Sequence, residues 1–182
     1  SGAFEMRLLP EADGTLTLEA FSGDRRSGPI ELDPAATARE LAGRLPVEVV
    51  VHEPSRPVRV VMDPDRFRSV VTNLLQNAAD ALAEANEEVP AEKRLVEVLI
   101  RHHRGMVEIV VADRGPGIPA ADRSRVFDPF FTTKNHGSGV GLSVSRRFVE
   151  QAGGSLEART REGGGTEMVI RLRGTEHEST HS

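Results

Sequence analysis

The stretch KNHGSGVGLSVSRRFVE, Lys134–Glu150, places three glycines at alternate positions just before a helical pattern. Gly137, Gly139 and Gly141 each lose more backbone freedom on folding than another residue would, and a purely structural turn rarely needs three. Beyond Gly141, the apolar residues Leu142, Val144, Phe148 and Val149 fit one helical face. A glycine segment opening onto a helix N-terminus suits an anion, because unpaired N–H groups and the helix dipole meet there. The alternative is a mobile loop with a glycine hinge. Both common nucleotide-binding motifs fail. The dinucleotide fingerprint G-x-G-x-x-G follows a strand directly, whereas this spacing is G-x-G-x-G and no strand leads into it. The Walker A spacing is absent as well.

The surrounding pattern sets the fold class. Downstream, GSLEART, REGGG and TEMVIRLR read as a closing hairpin around a three-glycine turn. Upstream, LVEVLIRHH and MVEIVVAD read as strands separated by a turn at Arg104 and Gly105. DPDRFRSVVTNLLQNAADALAEA reads as a helix capped at Asp63 or Asp65, with its apolar period at Phe67, Val70, Val71, Leu74, Leu75, Ala78 and Leu82. VEVVVHEPSRPVRVVMD reads as strand, proline-bounded turn, strand. PIELDPAATARELAGRL opens the domain with a helix whose cap is Asp33 and whose first position is Pro34. EEVPAEKR is a polar loop. Strands in hairpins with helices between the pairs predict an α+β fold: a two-layer α/β sandwich with a mixed, mostly antiparallel sheet covered by helices on one face. Residues 30–174 form this domain. Residues 1–29 are an N-terminal appendage or linker, in which TLTLEAF alternates like a strand and Ser1–Glu5 read as a cloning scar. Residues 175–182 read as a disordered tail.

Composition narrows the function classes. A chain of 182 residues suits one domain with a real core. A net charge of −5, with neither Trp nor Tyr, provides no general basic surface and no such stacking platform, so nucleic acid is not an expected partner. The absence of cysteine excludes disulfides, thiolate metal sites and cysteine nucleophiles. No apolar run is long enough to span a bilayer and no signal peptide opens the chain. A soluble chain without direct membrane contact is expected.

Three segments carry candidate chemistry. Asn73 and Asn77, four apart in NLLQNAADAL, share a helix face beside the apolar stripe. They are either a buried amide pair bridging to backbone or oxygen donors to a hydrated Mg²⁺, which reaches protein through one or two groups plus phosphates. Asp113 ends MVEIVVAD and precedes Gly115 and Gly117. It either caps a turn or accepts a hydrogen bond from an exocyclic amine, which would select adenine over guanine. RVFDPFFTTK brings Phe127, Phe130 and Phe131 into a polar loop. They anchor that loop to the core, hold the hinge of a lid whose Lys134 reaches phosphate, or both.

Taken in order, the asparagine helix, the Asp-x-Gly-x-Gly loop, the Phe-Pro-Phe-Phe loop and the glycine loop form one constellation. From about Pro29 to Arg173 the chain resembles the catalytic and ATP-binding domain of sensor histidine kinases, in the GHKL superfamily with DNA gyrase B, MutL and the large heat-shock chaperone. FDPFFTTK and GSGVGLSVS look most like the nitrogen-regulatory branch. The resemblance implies a Bergerat fold with ATP and Mg²⁺ between helices and sheet, under a mobile lid. It makes Asn77 the main metal ligand with Asn73 beside it, and Asp113 the receiver of the adenine amine. Gly115, Gly117, Ile118, Phe127 and Asp80 would shape the pocket. Lys134, Gly137, Gly139, Val140, Gly141 and Leu142 would serve the phosphates, and Thr166 would join the adenine site.

Asn73 adds one inference. ATP-hydrolysing relatives place a glutamate there to activate water, and an asparagine cannot act as a general base at neutral pH. The resemblance therefore implies a protein-histidine kinase domain that holds ATP for an external nucleophile, with Asn73, Asn77 and Lys134 as catalytic groups. That nucleophile is a histidine, and the chain offers no good candidate. His52 opens HEPSRP, but Pro54 and Pro57 forbid a helix there. His102 and His103 end a strand, His136 lies in the lid, and His177 and His181 lie in the tail. The implied partners are a histidine-containing dimerisation domain outside this chain and a downstream response regulator. The implied location is the cytoplasm, with the full-length protein free or membrane-anchored. A degenerate or ATP-sensing module that regulates a partner without phosphoryl transfer is the alternative. A divergent form of the helix that precedes such domains is an alternative reading of residues 8–26, against which Gly14 and the Thr15–Thr17 alternation argue.

Overall fold

The structure, a computed structural model, describes residues 4–10, 16–22, 30–85, 90, 94–132 and 139–176. The chain order is β1 (Phe4–Pro10), β2 (Leu16–Ser22), β3 (Ile30–Leu32), α1 (Pro34–Ala42), β4 (Glu48–His52), β5 (Val58–Met62), α2 (Pro64–Ala85), β6 (Leu95–His103), β7 (Met106–Ala112), a 3₁₀ turn (Arg125–Phe127), α3 (Gly141–Gln151), β8 (Ser155–Thr160) and β9 (Thr166–Glu176). β1 and β2 pair antiparallel in a two-stranded sheet of their own, from Phe4 opposite Ser22 to Pro10 opposite Leu16. Over the described residues 8–10 and 16–22 the chain is strand and not helix, in keeping with the alternation of Leu16–Phe21. β9 continues to Glu176, so the last strand enters the segment expected to be tail, and residues 177–182 lie outside the described residues.

The remaining strands form one sheet in the order β3-β5-β9-β7-β6-β4. One edge of β9 pairs with β7 over Glu167–Arg173. Its other edge is shared, with β8 along Thr166–Arg171 and β5 along Gly174–Glu176. All pairings are antiparallel except β4 with β6, so the sheet is mixed as expected. One expectation fails. β4 and β5 do not form a hairpin: they lie on opposite sides of the sheet, four strand spacings apart. That is roughly 19 Å at the usual interstrand spacing. The five intervening residues cross between them through a bend at Ser55 and Arg56, and Pro54 and Pro57 keep Glu53 and Arg56 out of the helical region.

All three helices pack on one face. Asp33 Oδ1 accepts the N–H groups of Ala35 and Ala36, both at 3.0 Å, and starts α1. Asp63 starts α2 by accepting the Arg66 N–H at 3.0 Å. α2 then buries Phe67, Val70, Leu74, Leu75 and Leu82 against Val58 and Val60 of β5, Val96 and Val98 of β6, Ile109 of β7 and Ile170 of β9. Each fully buried side chain of this kind contributes about 1.5–3 kcal/mol. The opposite sheet face carries a small cluster, Val110, Ala112 and Val169 with Leu99. Ion pairs from Arg171 to Glu108 (3.0 Å) and Glu157 (3.1 Å) border it. No helix among the described residues is long and apolar enough to cross a membrane.

Candidate functional site

A cavity of about 650 Å³ opens between α2, the loop after β7 and the start of α3, over the first residues of β9. The volume suits a small organic ligand. Residues three and four apart share a helix face, and α2 lines the cavity with Asn73, Asn77, Asp80, Ala81 and Glu84 on that principle. The same spacing could have picked out Ala81 and Glu84 from the sequence. Met168, two residues past Thr166 on the same face of β9, belongs to the lining too, and period-two alternation would have found it.

At one end of the cavity stands Asp113, 4% exposed at the close of β7. Its Oδ1 accepts the Gly115 N–H at 2.8 Å and the Thr166 N–H at 3.3 Å. Its own N–H donates to the Thr166 carbonyl at 3.0 Å. Oδ2 has no partner among the described residues, and the residue lines the cavity, so one carboxylate oxygen is left for a ligand donor. Burial pushes the Asp113 carboxyl up, and the bonds from Gly115 and Thr166 offset only part of that. The glycines here fit tightly. A Cβ on Gly115 would lie 2.8 Å from the Ala81 Cβ on α2, and Gly117 takes φ +79° beneath the Gly165 carbonyl.

At the other end, α3 begins at Gly141 behind Val140, which has no side-chain capping bond. Gly139, Gly141 and Leu142 line the cavity beside these uncapped N–H groups. Gly139 (φ +67°) donates no freedom to a hinge here; a Cβ would come within 2.5 Å of the Phe130 backbone, and the Phe130 N–H donates to the Gly139 carbonyl at 2.9 Å. At Gly141, a Cβ would overlap the Asn73 Oδ1. Asn73 Nδ2 in turn donates to Ser145 Oγ at 3.0 Å, and Ser145 is buried. Asn73 thus clasps α2 to α3, a role visible only once residues 72 apart in sequence meet.

Most of the sequence candidates converge on this cavity: Asn73, Asn77, Asp80, Asp113, Gly117, Ile118, Gly139, Gly141, Leu142 and Thr166 line it. Gly115 and Val140 are not in the lining and act through backbone groups, as an N–H donor to Asp113 and as the α3 cap. Asp80 accepts from Gln76 at 2.8 Å. Phe127 does not line the cavity. It is 8% exposed in the core, with the Arg146 guanidinium 5.1 Å from its ring centre. Val126 and Phe131 take the lining positions instead. Lys134, Gly137 and His136 lie outside the described residues, as do His177 and His181. His52 ends β4 and His102 and His103 end β6, away from the lining.

A family model described as histidine kinase-, DNA gyrase B- and HSP90-like ATPase matches residues 62–176, from the end of β5 to the end of β9. The chain belongs to this family. It is similar to the two-component sensor PprA of Pseudomonas aeruginosa, 39% identical over 128 residues, 69% of this chain and 14% of that protein. It is also similar to the C4-dicarboxylate transport sensor DctS of Rhodobacter capsulatus, 40% identical over 106 residues, 58% and 16% of the two chains. The chain thus spans about a sixth or less of these relatives. Among solved structures, the mycobacterial sensor histidine kinase MprB matches with a TM-score of 0.66 at 28% identity, over 82% of this chain and 99% of that one. The catalytic domain of histidine kinase ThkA gives 0.65 at 25%, over 81% and 96%. The fold is that of histidine kinase catalytic domains. These names span different sensor systems and do not single out the nitrogen-regulatory branch.

The donor set fits the ATP that this family implies. A buried carboxylate with one free oxygen suits an adenine amine, and an uncapped helix start suits phosphate. For a metal, the described residues hold no cluster of three or more His, Cys, Asp or Glu. The cavity instead offers the amides of Asn73 and Asn77. One or two hard oxygens, completed by phosphates and water, fit Mg²⁺ and not a softer ion.

Proposed function

We propose that this domain binds Mg²⁺·ATP and passes the γ-phosphoryl group to a histidine on a separate dimerisation domain, which then serves a response regulator. The observation that carries the reading is Asp113: buried, fixed through Oδ1 by two backbone N–H groups, with its other oxygen left for the cavity. Ionised Asp113 accepts the adenine amine, and Thr166 joins it there. Asn77 holds Mg²⁺ through its amide oxygen, with Asn73 beside it. Leu142 and the start of α3 take the phosphates through backbone N–H groups, and Lys134 adds a point charge. Mg²⁺ supplies charge neutralisation on the phosphates. The chain's own part is binding and alignment. Transfer breaks the bond between the γ-phosphorus and the β–γ bridging oxygen and forms a phosphorus–nitrogen bond, with ADP leaving. Asn73 offers no base for water, which favours an external nucleophile over hydrolysis. We place the domain in the cytoplasm, in a full-length protein either free or membrane-anchored.

Calorimetric titration with a non-hydrolysable ATP analogue, with and without Mg²⁺, tests the binding. The expected result is binding that Mg²⁺ strengthens and that Asn77→Ala no longer strengthens. No binding by the folded chain would overturn the reading. Radiolabel from γ-labelled ATP then separates the classes. Acid-labile label on a histidine-containing partner supports the kinase, and binding without transfer to any such partner supports an ATP-sensing module.

A further inference from the structure

Three successive glycines, Gly163, Gly164 and Gly165, connect β8 to β9 at φ +80°, +102° and +101°. Such a turn has no side chains to fix it and loses the most entropy when ordered. Yet it bears directly on the adenine end of the cavity. A Cβ on Gly165 would overlap the Asp113 carbonyl oxygen and lie 2.8 Å from the Arg114 Cα. The next residue, Thr166, supplies one of the two N–H groups that fix Asp113 Oδ1. Thr166 is held in register opposite Thr160 and by the Asp113 N–H on its carbonyl, so what the turn sets is the approach of the chain into Thr166, where its N–H meets Asp113 Oδ1.

Arg161 is where the turn is fastened. Its N–H donates to the Gly165 carbonyl at 3.2 Å, and its carbonyl accepts the Gly164 N–H at 3.1 Å. Its side chain, only 10% exposed, carries Nη2 onto Glu97 Oε2. Glu97 sits on β6, opposite Ala112 of β7, which is opposite Glu167 of β9. The guanidinium therefore reaches from the end of β8 past two strands, on the sheet face away from the helices. Glu97 Oε1 lies 3.5 Å from His52 Nε2 on β4. Arg161 Nη1 is buried without a hydrogen-bond partner. A partly buried ion pair that leaves one guanidinium nitrogen unpaired contributes little net stability, because desolvation offsets much of the attraction. The pair joins the residue whose backbone brackets the turn to β6, with β9 and β7 between.

We propose that Arg161, through its pair with Glu97, is a positioning residue for adenine: it holds the Gly163–Gly165 turn so that Thr166 fixes Asp113 before ligand arrives. The proposal rests on Asp113 receiving the adenine amine. It touches no nucleotide atom itself and acts on the adenine end alone.

The test is calorimetric titration of adenosine, ADP and the ATP analogue into the purified chain and its Arg161→Met, Arg161→Lys and Glu97→Gln variants, with amide hydrogen exchange on the ligand-free proteins. Arg161→Met should weaken all three ligands by the same factor, roughly three- to tenfold, and leave the Mg²⁺-dependent gain of the triphosphate unchanged. Arg161→Lys should restore part of the loss, and Glu97→Gln should act like Arg161→Met. Protection should fall at the Asp113 and Thr166 amides and persist across α2 and β5, which a general loss of stability would not produce. Arg161→Met binding adenosine as tightly as the parent, while the parent binds normally, would overturn this proposal alone. So would exchange that rises everywhere. A parent chain that binds no adenosine overturns the underlying nucleotide reading and this proposal with it. Should Arg161→Met fail to fold, the isosteric Glu97→Gln decides by the same readouts.

Discussion

The two ends of the cavity are built on opposite plans. At the Asp113 end, strand termini and a glycine turn close on one another, and the carboxylate is buried and bonded by the chain's own N–H groups. At the α3 end, the helix starts without a side-chain cap, and its N–H groups stand at the cavity edge. One end is fixed by bonds within the chain; the other presents backbone N–H groups without a side-chain cap. Under the proposed nucleotide reading, the contrast separates where specificity and where charge would be handled. A fixed acceptor discriminates between bases, because a wrong donor pattern leaves a buried group unpaired. Open N–H groups accept any phosphate.

The severest test of that contrast is Asp113→Asn. Asparagine keeps an oxygen for the Gly115 and Thr166 N–H groups but turns an NH₂ toward the cavity, donor against donor. All adenine nucleotides should weaken by about 100-fold or more, on the order of 3 kcal/mol, measured by calorimetry. The same change should stabilise the empty protein. Burial raises the Asp113 carboxyl above the usual aspartate range, with the Gly115 and Thr166 bonds offsetting part of the shift. A carboxyl with a raised folded-state value holds its proton longer when folded than when unfolded. Stability therefore falls as pH rises from the ordinary aspartate range through the raised value, and charged Asp113 is destabilising at neutral pH. Asp113→Asn should melt higher than the parent at pH 7, and this difference should shrink as the pH falls below the aspartate range. Equal melting at pH 7 would mean that the carboxylate is not penalised by burial.

Next in size is Gly141→Ala. The added methyl overlaps the Asn73 Oδ1, and Asn73 is held by Ser145 and cannot retreat freely. Overpacking of this kind costs about 1–3 kcal/mol. Thermal melting should register it, and calorimetry should show the triphosphate weakened more than adenosine. An unchanged melting point would show that the two helices separate easily, and that the phosphate end is looser than the packing suggests.

The sequence disclosed whichever features depend on neighbours along the chain. The Asp33 cap, the α2 stripe, the Arg104–Gly105 turn and the position of Asp113 at a strand end are local in origin and were legible, and the α2 cap was narrowed to Asp63 or Asp65. The partners of β4 and β5 were not. Alternation identifies a strand but not the strand beside it, and the prolines between these two were read as a turn where the chain in fact crosses the sheet. Phe127 was misplaced for a similar reason. Its loop carries three phenylalanines, and only packing decides that Phe131 reaches the cavity while Phe127 enters the core. The alternate glycines at 139 and 141 looked like a device for motion. In the folded chain they are the points where Phe130 and Asn73 press against the backbone.

Ser145→Ala gives the smallest expected effect and the finest discrimination between the two ends. Its Oγ accepts from Asn73 Nδ2 at 3.0 Å, and loss of one neutral hydrogen bond costs about 1 kcal/mol. The exposed consequence is not the lost bond but the released amide. Without Ser145, Asn73 can rotate its Oδ1 away from Gly141, and the distance between α2 and the start of α3 is no longer set by that contact. Asn77 stands on α2, and Gly141 and Leu142 stand on α3. A group bound by both would then meet them in a broader range of separations. The Mg²⁺-dependent gain in triphosphate affinity should fall roughly two- to threefold, with adenosine unaffected, and Ser145→Thr, which retains the hydroxyl, should recover the gain. A proportional loss of adenosine binding would mean that α3 also steadies the Asp113 end, and that the two plans are one.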